Sequence, residues 1–486
     1  MGIVRNQSIR NSISFYIGMA IGAMNTVLIY PNAFKRNPEH WGLLSILVAY
    51  AIVISTFTTL GTPKTFVRFF PAIKEKGQLY FLSLIAPLLG FIFALLSYFL
   101  FKEQIFELLN ADELLRDNFF YIILLVFFIG FYDILTAVSR SFLSTATPIF
   151  INEVFLKVYS TLILLLHWFG YLDFSLFLKI YLFGYFLKFA ILFFIQWKND
   201  RFSLAFSVDA LKLKEILSFG LFVFVGGASI MLVTKIDMIM IQNLMDLEHV
   251  AFYTVAFFIG NAIKIPGKSI LTIATPLLAR AWEEKNIRQI QNIYSKSSIN
   301  LLIVGGVFFL GIWLNIDDVF SLLPEKFSHG KWVVLFISLS QLFNLATGVN
   351  GAIIVNSNLY KYDLITNIFL VVIALIANLI FIPKYGINGA AMATAFSVLL
   401  FNILRLILIK VKLGLQPFSI KTLYTLALLA VIYSLSNYIP VSGNVYIDLA
   451  WRLFYILALF VPAMLWLNLS EDINKTIIDI KRRFGI

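Results

Sequence analysis

Charged residues are scarce in this chain, and cysteine is missing altogether. Only 13% of its 486 residues are charged, against 60% hydrophobic. A water-soluble domain carries about 25% charged and 45–50% apolar residues, so the composition excludes a soluble enzyme and a disordered chain. It points to an all-α polytopic membrane protein. Without cysteine there is no disulfide framework, thiolate metal site or thiol nucleophile. Four histidines, His40, His167, His249 and His329, are scattered with no metal-binding spacing, and no Asp-x-Asp pair is present to carry a metal-bound nucleotide sugar. The stretch Gly260 to Ser269 (GNAIKIPGKS) resembles a phosphate-binding loop only superficially. It has six residues between its glycines where that loop needs four, and it lies inside an apolar stretch. The longest outward loops, about 102–118 and 315–331, are too short to form a catalytic domain. The expectation is a protein that is not an enzyme and uses no cofactor or metal.

What is present is apolar length. Fourteen stretches are each long enough to cross a hydrocarbon core of ~30 Å as a helix. They are 12–33, 41–61, 80–101, 119–143, 149–169, 174–197, 216–240, 250–276, 293–314, 333–355, 361–383, 387–411, 420–438 and 446–468. The 38 basic residues outnumber the 26 acidic ones, giving a net charge of +12. In a membrane chain that excess marks cytoplasmic loops before it marks nucleic-acid binding. With the N-terminus inside, the inner loops and the tail (Lys481, Arg482, Arg483) hold roughly three times as many Lys and Arg as the outer loops. The expected topology has both ends cytoplasmic and an even number of spans.

A faint duplication runs through the chain. Ser14-Phe15 followed by Gly22-Ala23 recurs as Ser218-Phe219 followed by Gly226-Gly227, and Glu39-His40 recurs as Glu248-His249. Copies that start at helices one and seven, both on the inner side, are parallel repeats, a common transporter plan. The expected domains are an N-terminal lobe at 1–200, a second lobe at 201–415, and an appended helix pair with a cytoplasmic tail at 416–486.

Ionisable residues deep in a membrane span cost about 2.5–3.5 kcal/mol each on insertion scales, so they face a cavity or a partner. In helix eight, Asn261, Lys264 and Lys268 share one face at i, i+3, i+7, and Pro266-Gly267 beside them should bend the helix. Lys188 sits near the middle of helix six. Glu153 and Lys157 in helix five form an i, i+4 pair. Asp133 and Arg140 share a face of helix four, and Arg405 lies in the inner part of helix twelve. Lys235 and Asp237 stand where helix seven should end. Asn25 and Asn344 suit either a cavity or bonds between helices. Gly18-x-x-x-Gly22 permits close packing. Near mid-membrane the surplus is cationic, which suits an anionic substrate, phosphate above all. A cation exporter would instead bury unpaired carboxylates.

Asn378 to Ala395 (NLIFIPKYGINGAAMATA) closely resembles the helix eleven–twelve junction of polysaccharide flippases in the multidrug/oligosaccharidyl-lipid/polysaccharide (MOP) superfamily. Asn350 to Lys361 (NGAIIVNSNLYK) resembles the polar stretch these proteins carry after helix ten, and Lys235-Ile-Asp237 and Thr272-Ile-Ala-Thr-Pro276 fit the same pattern. Within the superfamily the chain is most similar to O-antigen (Wzx-type) flippases. The resemblance implies a MATE-like fold of two six-helix lobes plus a helix pair. It implies a flippase of the cell inner membrane that moves an undecaprenyl-diphosphate-linked oligosaccharide outward by alternating access, for lipopolysaccharide, capsule or exopolysaccharide. Lys264, Lys268 and Lys188 would hold the diphosphate, with Asn261, Arg140, Arg405, Asn25 and Asn344 lining the path. Asp133 or Glu153 would carry coupling protons, and a polysaccharide polymerase and chain-length machinery would be partners. Lipid II flippases of the superfamily carry an arginine cluster in helices one and two. Here helix one has none beyond Arg10 and helix two has no charge. The alternative is an ion-coupled multidrug antiporter of the same superfamily.

Overall fold

The computed structural model describes residues 2–73, 76–199, 201, 210–439 and 442–475. The basic tail residues Lys481, Arg482 and Arg483 lie outside that set. Among the described residues twelve helices are long and apolar enough to cross a membrane, and a thirteenth span is a bent pair. In lipid every backbone N–H and C=O must be bonded internally, so an apolar chain of this kind has the helix as its solution. The spans are α1 (Ile9–Ala33), α2 (Pro38–Thr59), α3 (Lys76–Leu100), α4 (Phe120–Ser141), α5 (Ala146–Trp168), α6 (Phe174–Lys198), α7 (Leu213–Leu244), α8 (Leu247–Lys268) and α9 (Ile287–Trp313). α10 is the bent pair, Glu325–Ala346 and Asn350–Asn356, with 49° between its pieces.

Tyr360–Leu413 runs as 54 helical residues interrupted at Gly386 (φ 58, ψ −137). Glycine alone enters that region without steric cost, and the preceding Pro383 also weakens the helix there. The segment is therefore two spans, α11 (360–385) and α12 (387–413), each of membrane length. The motif that carries the resemblance is this corner. α13 (Ile420–Tyr438) and α14 (Val445–Trp466) complete the set. The fourteen expected stretches correspond one to one with these helices, and the chain is a multi-pass membrane protein.

Two compact units result, Met1–Thr254 and Val255–Ile486. The expected lobes at 1–200 and 201–415 partition the chain by repeat. By packing, α7 sits in the first unit against α2 and the short helix Thr62–Phe69. Its C-terminal end is tied there: Tyr50 Oη donates to Gln242 Oε1 at 2.6 Å, and Gln242 Nε2 donates to Leu109 O at 3.0 Å. In the second unit, α13 and α14 close over α9 through Ile303, Leu310, Leu429, Ile432, Ile456 and Phe460, all buried. Between α9, α10 and α13 lies an apolar pocket of about 440 Å³ walled by Phe309, Trp313, Trp332 and Tyr433.

Candidate functional site

The polar centre of the first unit begins where α1 meets α5. Gly18 lies so close to the Glu153 backbone that a Cβ there would collide with its carbonyl. The approach lets Lys157 reach across, its Nζ donating to Gly18 O at 3.0 Å and to Glu153 Oε2 at 2.9 Å. The expected i, i+4 pair is thus also a bond between helices. Both helices carry a π-helical turn, Ile151–Phe155 of α5 at the Gly18 approach and Met24–Ile29 of α1 further along the pair. Such turns widen the ladder locally and recur at functional sites. Here they hold Asn25 and Asn152. Asn25 Nδ2 donates to Thr161 Oγ1 at 2.8 Å, so it both binds the helices together and borders the cavity described next.

From α6, Tyr181, Tyr185 and Lys188 project on one face at i, i+4, i+7. Lys188 is buried, and its Nζ donates to Asn152 Oδ1 at 3.0 Å. It lies 4.3 Å from the Tyr132 ring centroid and 5.2 Å from that of Tyr185, a cation–π setting. Asn152 Nδ2 in turn donates to Glu153 Oε1 at 3.0 Å. The result is one continuous chain, Lys188–Asn152–Glu153–Lys157–Gly18.

These groups surround a cavity of about 560 Å³, closed by α2 (Ser55, Thr56), α4 (Asp133) and α7 (Lys235). The volume falls within the usual range for a small-molecule site. Three ammonium groups, Lys157, Lys188 and Lys235, line it together with Asp133, and Glu153 holds Lys157. Asp133 is exposed to this space. Lys235 is half-buried and forms no hydrogen bond or ion pair among the described residues. The sequence placed Lys235 and Asp237 at the end of helix seven. α7 in fact continues to Leu244, which moves Lys235 off the rim and into the wall. Asp237 is buried and accepts from Tyr253 Oη at 2.6 Å.

The second unit holds the other candidates. α8 tightens into a 3₁₀ turn at Ala262–Lys264 directly before Pro266, the bend expected there, and then continues as Ile265–Glu283. It therefore does not close at Pro276. Lys264 is half-buried and Lys268 exposed, with Asn261 half-buried beside them. Asn344 accepts from Asn402 Nδ2 at 3.1 Å. Asn402 Oδ1 also accepts from Thr347 Oγ1 at 3.0 Å and Asn350 Nδ2 at 2.9 Å, pinning the break of α10 to α12. Arg405 is buried in an ion pair with Asp363 and bonded to Thr366 and Asn367. In the first unit, Arg140 is exposed at the end of α4. The cavity thus brings together Asn25, Asp133 and Lys188 with Glu153 behind them, and adds Lys235, which the sequence placed at the end of helix seven, and Asn152, Tyr30, Tyr181 and Tyr185, which the sequence did not single out. The i, i+4, i+7 spacing of the two α6 tyrosines with Lys188 is the signal that could have found them.

A family model described as polysaccharide biosynthesis protein matches residues 9–282. No curated protein matches the chain in sequence. Among solved structures, the lipid II flippase MurJ in an inward closed conformation is 17% identical with a TM-score of 0.68, covering 94% of this chain and 98% of its own. An inward-facing multidrug resistance MATE family transporter of the MOP superfamily is 15% identical with a TM-score of 0.59, covering 88% of this chain and 99% of its own. A MOP superfamily transporter from Pyrococcus furiosus is 15% identical with a TM-score of 0.55, covering 84% and 95%. At such identities the likeness establishes the fold, shared with MurJ and the MATE transporters.

Proposed function

Because the chain belongs to the polysaccharide biosynthesis protein family, we propose that it is a flippase for a polyprenyl-diphosphate-linked oligosaccharide. In this reading it carries an O-antigen, capsule or exopolysaccharide unit from the cytoplasmic to the outer leaflet of the inner membrane by alternating access, with both termini cytoplasmic. The observation that carries the reading is the lysine cavity of the first unit. Ammonium groups withdrawn from water into a dry wall are costly unless they meet an anion. Lys188 and Lys235 are the diphosphate contacts, steadied by Lys157 and Asn152. Lys264, Lys268 and Asn261 are further contacts on α8, and Asn25, Asn344, Arg140 and Arg405 serve the path or its frame. The polyprenyl tail stays in lipid, and Asp133 or Glu153 carries coupling protons. A polymerase and chain-length machinery act downstream.

The MurJ likeness supports a lipid-linked substrate through the fold. The absence of a clustered arginine in α1 and α2 argues for a glycan carrier other than lipid II. A second reading, an organic-cation antiporter, is favoured by one observation, Asp133 exposed to the cavity. Three lysines around a single lining carboxylate weigh against it. Purified protein in liposomes decides between them. Movement of a fluorescent polyprenyl-diphosphate saccharide supports the flippase, whereas gradient-driven uptake of an organic cation with no lipid movement overturns it.

A further inference from the structure

A second polar surface lies apart from the cavity, at the end of the first unit where α2, α4 and α6 finish and α3 and α7 begin. The ends of apolar spans stand at the headgroup level of a bilayer. The short helix Thr62–Phe69 follows α2 there. It buries Thr65, Phe66 and Phe69 and leaves Lys64, Val67 and Arg68 exposed, the pattern of a segment lying in the interface. Its end leads into an aromatic floor. Phe69 meets Phe219 of α7 at 5.7 Å between ring centroids, and Phe70 meets Phe142, just past α4, at 5.0 Å.

Three cations rest on that floor. Arg68 lies 4.3 Å from the Phe219 centroid, and Lys76 lies 4.3 Å from that of Phe70. Lys76 and Arg201 then share the Phe142 ring, at 5.9 Å and 5.1 Å from its centroid. Arg201 is set in place by α6: its Nη1 donates to Gln196 Oε1 at 3.3 Å, and Gln196 is buried with its Nε2 bonded to Ser139 of α4. Among the described residues no carboxylate pairs with Arg68, Lys76 or Arg201. Cations gathered on one aromatic cluster repel one another, and an anion seated between them relieves the repulsion. At this depth the bilayer supplies that anion as a phosphodiester. A zwitterionic headgroup brings an ammonium of its own, which restores the repulsion, whereas phosphatidylglycerol carries a net negative charge. The exposed Phe142 and Leu143 beside the cations suit the upper part of an acyl chain. We infer that Lys76 and Arg201, with Arg68 beside them, form a headgroup site for an anionic phospholipid of the bilayer. The inference does not depend on the flippase reading.

Because the chain has no cysteine, a single one can be placed where it reports. Full-length protein with Leu143→Cys, labelled with a fluorophore, is reconstituted in phosphatidylcholine liposomes. A nitroxide near the top of one acyl chain is carried either by phosphatidylglycerol or by phosphatidylcholine, at equal mole fraction. A second protein, with Leu108→Cys, reports on the opposite end of the unit beside Glu103, Glu107 and Glu113. At the first label the phosphatidylglycerol quencher should act at least threefold more strongly than the phosphatidylcholine one. At the second label it should act no more strongly. Lys76→Ala/Arg201→Ala should bring the ratio at the first label close to one, and Lys76→Arg, which keeps the charge, should preserve it. Equal quenching by the two lipids at the first label overturns the inference, as does an unchanged ratio in the double variant. Millimolar inorganic phosphate should leave the preference in place. Its loss there would make this a site for free phosphate and overturn the lipid assignment.

Discussion

The cavity of the first unit and the α10–α12 junction of the second treat buried polar groups in opposite ways. In the second, Arg405 has Asp363, Thr366 and Asn367 around it, and Asn402 is shared among Asn344, Thr347 and Asn350. These networks are closed: each group finds its partner in the protein, and the effect is to fasten α10, α11 and α12. The pocket of about 440 Å³ in that unit is walled by apolar side chains. In the first unit the network is open. Lys188, Asn152, Glu153 and Lys157 hold one another at one edge, but the wall also presents Lys235 and three phenols to a space of about 560 Å³. A closed network builds a scaffold, and an open one waits for a ligand. Net charge points the other way, +3 over 1–254 and +9 over 255–486, so the arrangement of partners is what separates the two.

If that contrast is right, substitutions in the closed networks should cost stability and those in the open one should cost transport. The largest effect is expected at Arg405→Ala, which strands Asp363 beside a membrane helix and should lower stability by about 3 kcal/mol. Thermal unfolding in detergent reads it, and Arg405→Lys should rescue only partly, because one ammonium cannot reproduce the guanidinium fork. Asn402→Ala should follow at about 1–3 kcal/mol, since it removes the acceptor of Thr347 and Asn350 at the α10 break and the donor to Asn344. Lys188→Ala should leave the melting temperature nearly in place yet slow lipid movement at least tenfold, about 1.4 kcal/mol of lost interaction. A large stability loss there would make Lys188 a scaffold residue and erase the contrast. At the bottom of the scale, Arg280→Ala removes an exposed i, i+4 contact with Glu284 and should change neither measurement.

Much of the fold was legible because apolar length is a strong signal. Each of the fourteen stretches became a helix, and Pro266 announced the break in α8. Helix ends were harder to read. Polar residues such as Lys235 and Asp237 look like a terminus in one dimension, whereas the fold buries Asp237 on Tyr253 and turns Lys235 into a cavity wall. Lys188, Asn25, Asp133 and the Glu153–Lys157 pair were readable from the cost of charge and amide in lipid. Tyr30, Tyr181 and Tyr185 were not. Among 21 tyrosines in a membrane chain, interfacial belts absorb the expectation, and only the neighbouring helices decide which rings face inward. The pairing of Arg405 was hidden for a related reason. Its partner Asp363 lies 42 residues away, near the start of α11.

The most direct test of the account loads a fluorescent polyprenyl-diphosphate saccharide into the inner leaflet of proteoliposomes and follows its arrival outside with an impermeant quencher. Wild type and Lys188→Ala, reconstituted at equal folded amounts, should differ by at least tenfold in rate, with the wild type emptying the inner leaflet. Equal rates in the two would contradict the claim that the lysine cavity of the first unit holds the diphosphate.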